Sequence, residues 1–243
     1  MKSVEVVVAR YNESLSWIKE YPFNQFEYIV YNKGDNTNFE KNNVKKIISL
    51  PNVGRCDHTY LYHIITNYDT LSDIVVFFTG SVNMQHKKTK AKKILESIIH
   101  SGYNNAYFIG SYYNNVQNRL QYFKMDHYRC NDPQNYIKNS ENILHKCKIR
   151  PYGNWYQYFF GNICVQLLSY GGVFSVDKMD IIQHPITRYQ TLIETVNKHS
   201  NPEAGHYIER SWSAIFYPMM HTVKITQQNN NDRNKLFAKM IRL

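Results

Sequence analysis

The sequence predicts an α/β domain with a mostly parallel central sheet. Two continuous apolar, β-branched runs, residues 4–9 and 73–78, read as strands buried on both faces. Between them Tyr60, Leu61, Ile64, Ile65 and Tyr68 recur at helical spacing. Strands that alternate with helices are joined by right-handed crossovers, which leave neighbouring strands parallel. The chain has 243 residues, 43% of them hydrophobic, enough for a sizeable core. No repeat or long linker divides it, so a single domain over 1–243 is expected, with a first half at 1–82 and a more elaborate second half at 83–243.

Taken in order, strand one at 4–9 ends in the polar cluster Arg10-Tyr11-Asn12-Glu13, followed by a helix-like stretch at 14–20. Buried strands that deliver polar side chains from their carboxyl ends are how open α/β sheets present a ligand site; the alternative is a solvated loop with Ser14 capping a helix. Residues 26–32 alternate as strand two and stop at Lys33-Gly34. A short strand at 44–50 ends at Pro51, a helix follows at 57–68, and the apolar strand at 73–78 ends in Thr79-Gly80-Ser81. Three polar clusters therefore belong to one sheet edge. Residues 90–100 read as a helix, 106–110 as a strand, 171–176 as a Gly-hinged strand and 186–199 as a helix, while 111–160 carry no firm pattern. An apolar face at Ile208, Trp212, Ile215 and Phe216 precedes a strand-like segment at 219–223 that contains His221.

Composition narrows the function. Cys56, Cys130, Cys147 and Cys164 form no C-x-x-C pair, which argues against a zinc ribbon or a disulfide framework and for a reducing compartment. No run approaches the length of a membrane span, and residues 1–4 lack the apolar core of a signal peptide, so a cytoplasmic location is expected, the host's cytoplasm if the source is a virus. The net charge of +10 favours anionic partners. Its densest runs are residues 87–93 and the amphipathic tail 234–243, which also read as solvated helix faces. The run 87–93 holds no aromatic and the tail only Phe237, too little interleaving of aromatics with cations for a nucleic-acid groove.

The segments VVVARYNESLSWI, YNKG, LPNVGRCDHTYLYHIITNYDTLSDIVVFFTG and GHYIERSWSAIF resemble the family of fungal and large-DNA-virus proteins filed as domain of unknown function 3431. The order strand, Tyr-Asn-Glu, helix, strand, Gly-Arg turn, helix and hydrophobic strand is more distantly similar to the nucleotide-binding half of GT-A glycosyltransferases, a Rossmann-like fold. That resemblance implies a nucleotide-sugar donor (a UDP- or GDP-sugar) and a glycan or protein acceptor. It implies donor contacts at Arg10, Tyr11, Asn12, Glu13, Lys33, Gly34, Arg55, Thr79, Gly80 and Ser81, and acceptor contacts at Gly171, Gly172 and Trp212. Glu209 and Arg210 fall where such enzymes place a catalytic carboxylate, with His58 as a further catalytic candidate.

At one point the sequence departs from that pattern. Thr79-Gly80-Ser81 stands where an Asp-x-Asp motif would bind a divalent metal, and hydroxyls are poor substitutes for two carboxylates on a hard cation. A metal-free transferase would hold the diphosphate with Arg10, Lys33, Arg55 or the 87–93 run. Whether Asp177, Asp180 or His221 supplies a metal ligand stays open. Each site residue also has a plainer role: Asn12 and Glu13 as caps, Arg55 in an ion pair with Asp57 or Asp73, His58 in the packing, Glu209 in a surface salt bridge. The rival readings are a non-catalytic nucleotide- or glycan-binding module on the same fold and, third, a basic nucleic-acid binder.

Overall fold

The computed structural model describes residues 1–126 and 143–227; the tail 234–243 and Cys130 lie outside them. The chain runs β1 (Val4–Arg10), β2 (Tyr28–Asn32), β3 (Val44–Ser49), α1 (Arg55–Thr66), β4 (Ile74–Thr79), α2 (Gln85–His100), β5 (Ala106–Tyr112), α3 (Val116–Leu120) and α4 (Tyr152–Phe160). It continues through β6 (Leu167–Leu168), β7 (Phe174–Asp177), α5 (Lys178–Ile182), α6 (Ile186–Glu194), α7 (Glu203–Glu209), α8 (Trp212–Ile215) and β8 (Thr222–Gln227).

Five strands form the main sheet in the order β3-β2-β1-β4-β7. The first four are parallel and β7 is antiparallel to β4. β1 and β4 are buried on both faces because helices cover both. Val7, Ala9, Val75 and Phe77 face the layer of α1, α6 and α8, in one core with Tyr60, Ile64, Leu192 and Trp212. Val6, Val8, Val76 and Phe78 face the layer of α2, in a second core with Ala91, Ile94, Leu95 and Ile98. The strict alternation is the strand period of two expressed on a sheet with apolar cover on each side.

A second sheet, β6-β5-β8, stands beside β7. Side chains join it to the first. Ser175 Oγ accepts from the Tyr107 N–H at 2.7 Å and donates to its carbonyl at 3.0 Å, and Thr222 Oγ1 accepts from the Asp177 N–H at 2.9 Å. The second half of the chain thus enters the sheet of the first half through β7.

Several elements differ from the sequence reading. The stretch 14–20 is a single 3₁₀ turn, Ser16–Lys19, because buried Leu15 before it sits at φ 55°, outside the helical region. Ser14 therefore has no α-helix to cap. α2 begins at Gln85, five residues before the expected start, and takes in the whole lysine run 87–93. α6 stops at Glu194 and the late strand starts at Thr222.

The segment 143–150 and α7 are held together by Glu203, a carboxylate with no exposed surface. It accepts from the Met125 and Cys147 N–H groups, both at 2.9 Å, from Tyr207 Oη at 2.7 Å and from Arg150. Burial pushes this carboxyl up, and the hydrogen bonds from Tyr207, Cys147, Met125 and Arg150 outweigh it and leave it below the usual range. Glu203→Ala should cost about 3–5 kcal/mol of stability, read from urea unfolding, since it strands several donors and Arg150 together; a loss near zero would show that the hub is dispensable.

Candidate functional site

Parallel pairing puts the carboxyl ends of the strands at one edge, in register. Arg10 lies beside Asn32, Asn32 beside Ser49, and Ala9 beside Thr79. β7 starts at the same edge, with Phe174 paired to Phe77, so the turn Gly171-Gly172 that feeds it arrives next to Thr79. Asp177 pairs with Ile74 at the opposite edge.

Buried cations build the loops after β1 and β2. The Arg10 guanidinium, fully buried, donates to the carbonyls of Glu13 (2.7 Å) and Tyr11 (3.2 Å) and through Nη1 to Asn32 Oδ1 and the Asn36 carbonyl, both at 2.5 Å. It lies 4.1 Å from the centre of the Phe39 ring. Glu13 Oε2 turns back to accept from the Tyr11 and Asn12 N–H groups at 2.7 and 3.1 Å. A Cβ on Gly34 would stand 2.3 Å from the Tyr11 carbonyl oxygen, and one on Gly80 would stand 2.7 Å from the Glu13 carboxylate, so Gly34 packs on backbone and Gly80 on the Glu13 side chain, with no room for a side chain of their own. Lys33 is sunk beneath the start of α1, where Nζ donates to the carbonyls of Val53 and, at 2.5 Å, Arg55. There Gly54 and Arg55 both take left-handed backbone, at φ 60° and 56°. For Arg55 that is a strained conformation, of the kind that gathers at ligand sites.

At the end of β4 the Thr79 and Ser81 hydroxyls lie 3.2 Å apart. Lys87, from the first turn of α2, reaches both: its Nζ is 2.6 Å from Ser81 Oγ and 3.4 Å from Thr79 Oγ1. The Gly171-Gly172 turn closes over them. A Cβ on Gly172 would fall 2.9 Å from both Cys56 Sγ and Thr79 Cγ2, and its φ of 61° is one that side chains rarely adopt. Tyr60 Oη holds the Gly172 carbonyl at 2.7 Å. Glu209 Oε1 accepts the Gly171 N–H at 2.8 Å, and Glu209 Oε2 lies 3.4 Å from Arg210 Nη1. The Arg210 guanidinium is sandwiched between Phe123, at 4.2 Å, and the exposed ring of Tyr170, at 5.1 Å. Lys90, buried, ties Ser169 Oγ (2.6 Å) and the Tyr170 carbonyl (3.1 Å) to α2.

Behind this surface lies Asp57, which has no exposed area and accepts the Trp212 indole N–H at 3.0 Å. Burial and the charge of Glu209 push its carboxyl up to about 7. Burial pushes the Lys33 and Lys90 ammoniums down, each to about 7. Ionisable groups displaced towards neutrality in one place are a mark of functional sites.

The sequence profile of the family described as "Protein of unknown function (DUF3431)" matches residues 6–231. The chain belongs to this family. A search of curated proteins gives no match to it. In this DUF3431 protein the matched span contains the whole of the edge just described.

The candidate residues do not share one role. Tyr11, Asn12, Arg55, Lys87, Gly171, Glu209 and Arg210 keep some exposure at the edge, and Thr79, Gly80 and Ser81 form its floor. Arg10, Lys33 and Glu13 are buried and shape the loops. Arg55 Nη1 is 3.4 Å from Asn201 Oδ1. His58 is buried, its ring stacked on Tyr62, and burial with the Lys33 charge lowers it to about 4, so it is neutral at pH 7. Trp212 is 1% exposed in a cluster with Phe77, Phe174 and Phe216, because the apolar face at 208–216 points into the core; it offers an acceptor no open face. Asp180 accepts the N–H groups of Met220, His221 and Thr222, and Asp177 caps α5 and pairs with Lys2. Both are structural. Among the described residues no group of three or more His, Cys, Asp or Glu side chains could hold a metal, and no helix is long and apolar enough to cross a membrane.

Sequence reading does not single out Asp57, behind this edge, or Tyr170, on it. Asp57 enters it only as an ion-pair partner for Arg55; its place in the first turn of α1, just after the Gly-Arg turn, is the signal the sequence offers. Tyr170 directly precedes the glycine pair, and that adjacency is the signal the sequence offers.

The displaced groups predict a pH signature. The folded protein keeps a proton on Asp57 that the unfolded chain, titrating near the ordinary aspartate value of 3.8, has released, so this residue costs stability progressively from about pH 4 to pH 7. Lys33 and Lys90 act the other way: the unfolded chain binds more protons between about 7 and 10.5, so their penalty fades as pH rises through that window. The melting temperature of Asp57→Asn minus that of wild type should therefore grow more positive between pH 4 and pH 7. A difference that stays constant with pH would show that Asp57 titrates normally.

Proposed function

We propose that this protein is a glycosyltransferase of GT-A type that moves a sugar from a nucleotide-sugar donor to an acceptor hydroxyl without a metal. The observation that carries the reading is the meeting, at one edge of a parallel sheet, of the polar ends of β1, β2 and β4 with the Gly171-Gly172 turn, Lys87 and Glu209. The carboxyl edge of a parallel sheet is where such folds take nucleotides.

In this reading the base and ribose lie on the loop that follows β1, beside Tyr11 and Asn12, and half-buried Arg55 and Lys87 meet the diphosphate. Arg10 and Lys33 act earlier, by fixing the loops. Glu209 takes the acceptor's proton. The acceptor oxygen bonds to the anomeric carbon, the bond from that carbon to the diphosphate oxygen breaks, and its electron pair leaves with the nucleoside diphosphate. Tyr170, 42% exposed beside Arg210, offers the acceptor the aromatic face that buried Trp212 cannot.

The residues at the end of β4 do not suit a divalent metal. Two hydroxyls and an ammonium take the place of two carboxylates, and a dication beside Lys87 would be repelled. No step is therefore assigned to a metal.

A specific contact favours a second reading, a non-catalytic binding module. Both Glu209 oxygens are engaged, one by the Gly171 N–H and one by Arg210, so the carboxylate has a structural use without any reaction.

Thermal unfolding against UDP, GDP, CDP and their sugars, with and without manganese, tests the donor site, because a ligand of the native state raises the melting temperature. A shift with one nucleotide family supports the transferase reading, and a flat panel overturns it. With the donor known, Glu209→Gln should lower turnover by about 10²-fold or more while donor binding persists; full activity in this variant would leave the binding-module reading. Tyr170→Ala should raise the acceptor KM and leave the donor shift unchanged.

A further inference from the structure

We infer that the Lys87 ammonium stands in for the divalent cation, and that Lys87 with Thr79 and Ser81 forms the subsite for the diphosphate of a nucleoside diphosphate. The ligand class rests on the transferase reading; the anion site rests on geometry. Thr79 and Ser81 flank Gly80 at the end of β4, with hydroxyls 3.2 Å apart, and the Lys87 Nζ lies 2.6 Å from one and 3.4 Å from the other. A positive charge thus sits on the very residues that replace the acidic pair, attached to the protein by its own side chain.

The surroundings keep that charge available. Lys88, the next residue, pairs with Glu20 at 2.6 Å, whereas Lys87 makes no ion pair with a carboxylate among the described residues. Its two neighbours at the site are neutral hydroxyls. The Lys87 stem runs beneath Gly171, where a Cβ would stand 3.5 Å from Cγ and 3.6 Å from Cε, so the turn holds the side chain along the sheet edge. Gly171 is in turn fixed by Glu209.

Local energetics oppose this placement unless an anion is bound. The first turn of the 16-residue helix α2 contains no acid and carries His86, Lys87 and Lys88. Cations there stand against the helix dipole, whose N-terminal end favours negative charge. Burial and the charges of Lys87 and Lys90 push the His86 imidazole down. A diphosphate would accept from the ammonium and from both hydroxyls and would face the positive end of the helix, which relieves the conflict. Its extra charge would be met by a fixed monovalent cation and hydrogen bonds, and no second cation has to be bound.

Isothermal titration of the full chain with UDP, GDP and inorganic pyrophosphate, in EDTA and in manganese, tests the inference on wild type, Lys87→Gln, Lys87→Arg and, as a control on the exposed face of the same helix, Lys93→Gln. The expected result is binding of pyrophosphate and one nucleotide in EDTA, no tighter in manganese, weakened at least tenfold by Lys87→Gln, partly restored by Lys87→Arg and unchanged by Lys93→Gln. Matching circular dichroism and melting temperatures establish that the variants fold, and Lys87→Arg against Lys93→Gln carries the comparison if Lys87→Gln does not. Binding that needs manganese, or that survives Lys87→Gln intact, overturns the Lys87 assignment and leaves the transferase reading standing. Pyrophosphate binding through Lys87 with no nucleotide bound upholds the anion site and removes the nucleotide. No binding of any probe overturns both.

Discussion

The hydrogen bond between Asp57 and Trp212 is the constraint on which the rest of the edge depends. A buried indole N–H needs an acceptor, and here the acceptor is a carboxyl group with no exposed surface. The bond joins the first turn of α1 to the start of α8 and locks Trp212 among Tyr60, Phe77, Phe174 and Phe216. One turn further along α1, Tyr60 holds the Gly172 carbonyl. Two successive turns of a single helix therefore fix the C-terminal segment that carries Glu209 and the glycine turn that Glu209 grips. The cost is an aspartate displaced from its ordinary range by burial and by Glu209.

Long cations serve as scaffolding throughout this edge. Arg10 gathers carbonyls from the loops after β1 and β2, and Lys33 those of Val53 and Arg55. Irregular backbone that is buried must find hydrogen-bond partners somewhere, and in these loops side-chain donors supply what a helix or ladder would have supplied. Part of the chain's large positive charge is thus structural, and Lys90 belongs to the same class. Lys87, with its two hydroxyls at the margin, is a different case.

Sheet and edge were legible in the sequence because both depend on short-range pattern. β1 and β4 are apolar runs on both faces, and the polar residues that end β1, β2 and β4 follow directly from parallel pairing. What could not be read depends on distant partners. β5 pairs with β8 across more than a hundred residues, and β7 joins the sheet beside β4 after a long detour. The depth of Lys33 is set by α1, and that of Trp212 by Asp57, so neither follows from its own segment. The segments α3 and α4 gave no pattern because both are short, and the aromatics of α4 pack on Tyr207 of α7 and on one another rather than along one helical face.

The far side of the main sheet has its own logic. β3 is an outermost strand, mostly exposed, with Ile47 at the surface. An open strand edge invites the edge of another molecule and so seeds aggregation. β3 carries Lys45 and Lys46 in its middle, and Lys45 also pairs with Glu27 from the segment entering β2. Successive strand residues point to opposite faces, so the two lysines set a cation on each side of the edge and oppose stacking of one copy against another, while the opposite flank at β7 is already shielded by Ser175 and the second sheet. The same lysines that lend nothing to the core thereby keep the sheet at its finite width.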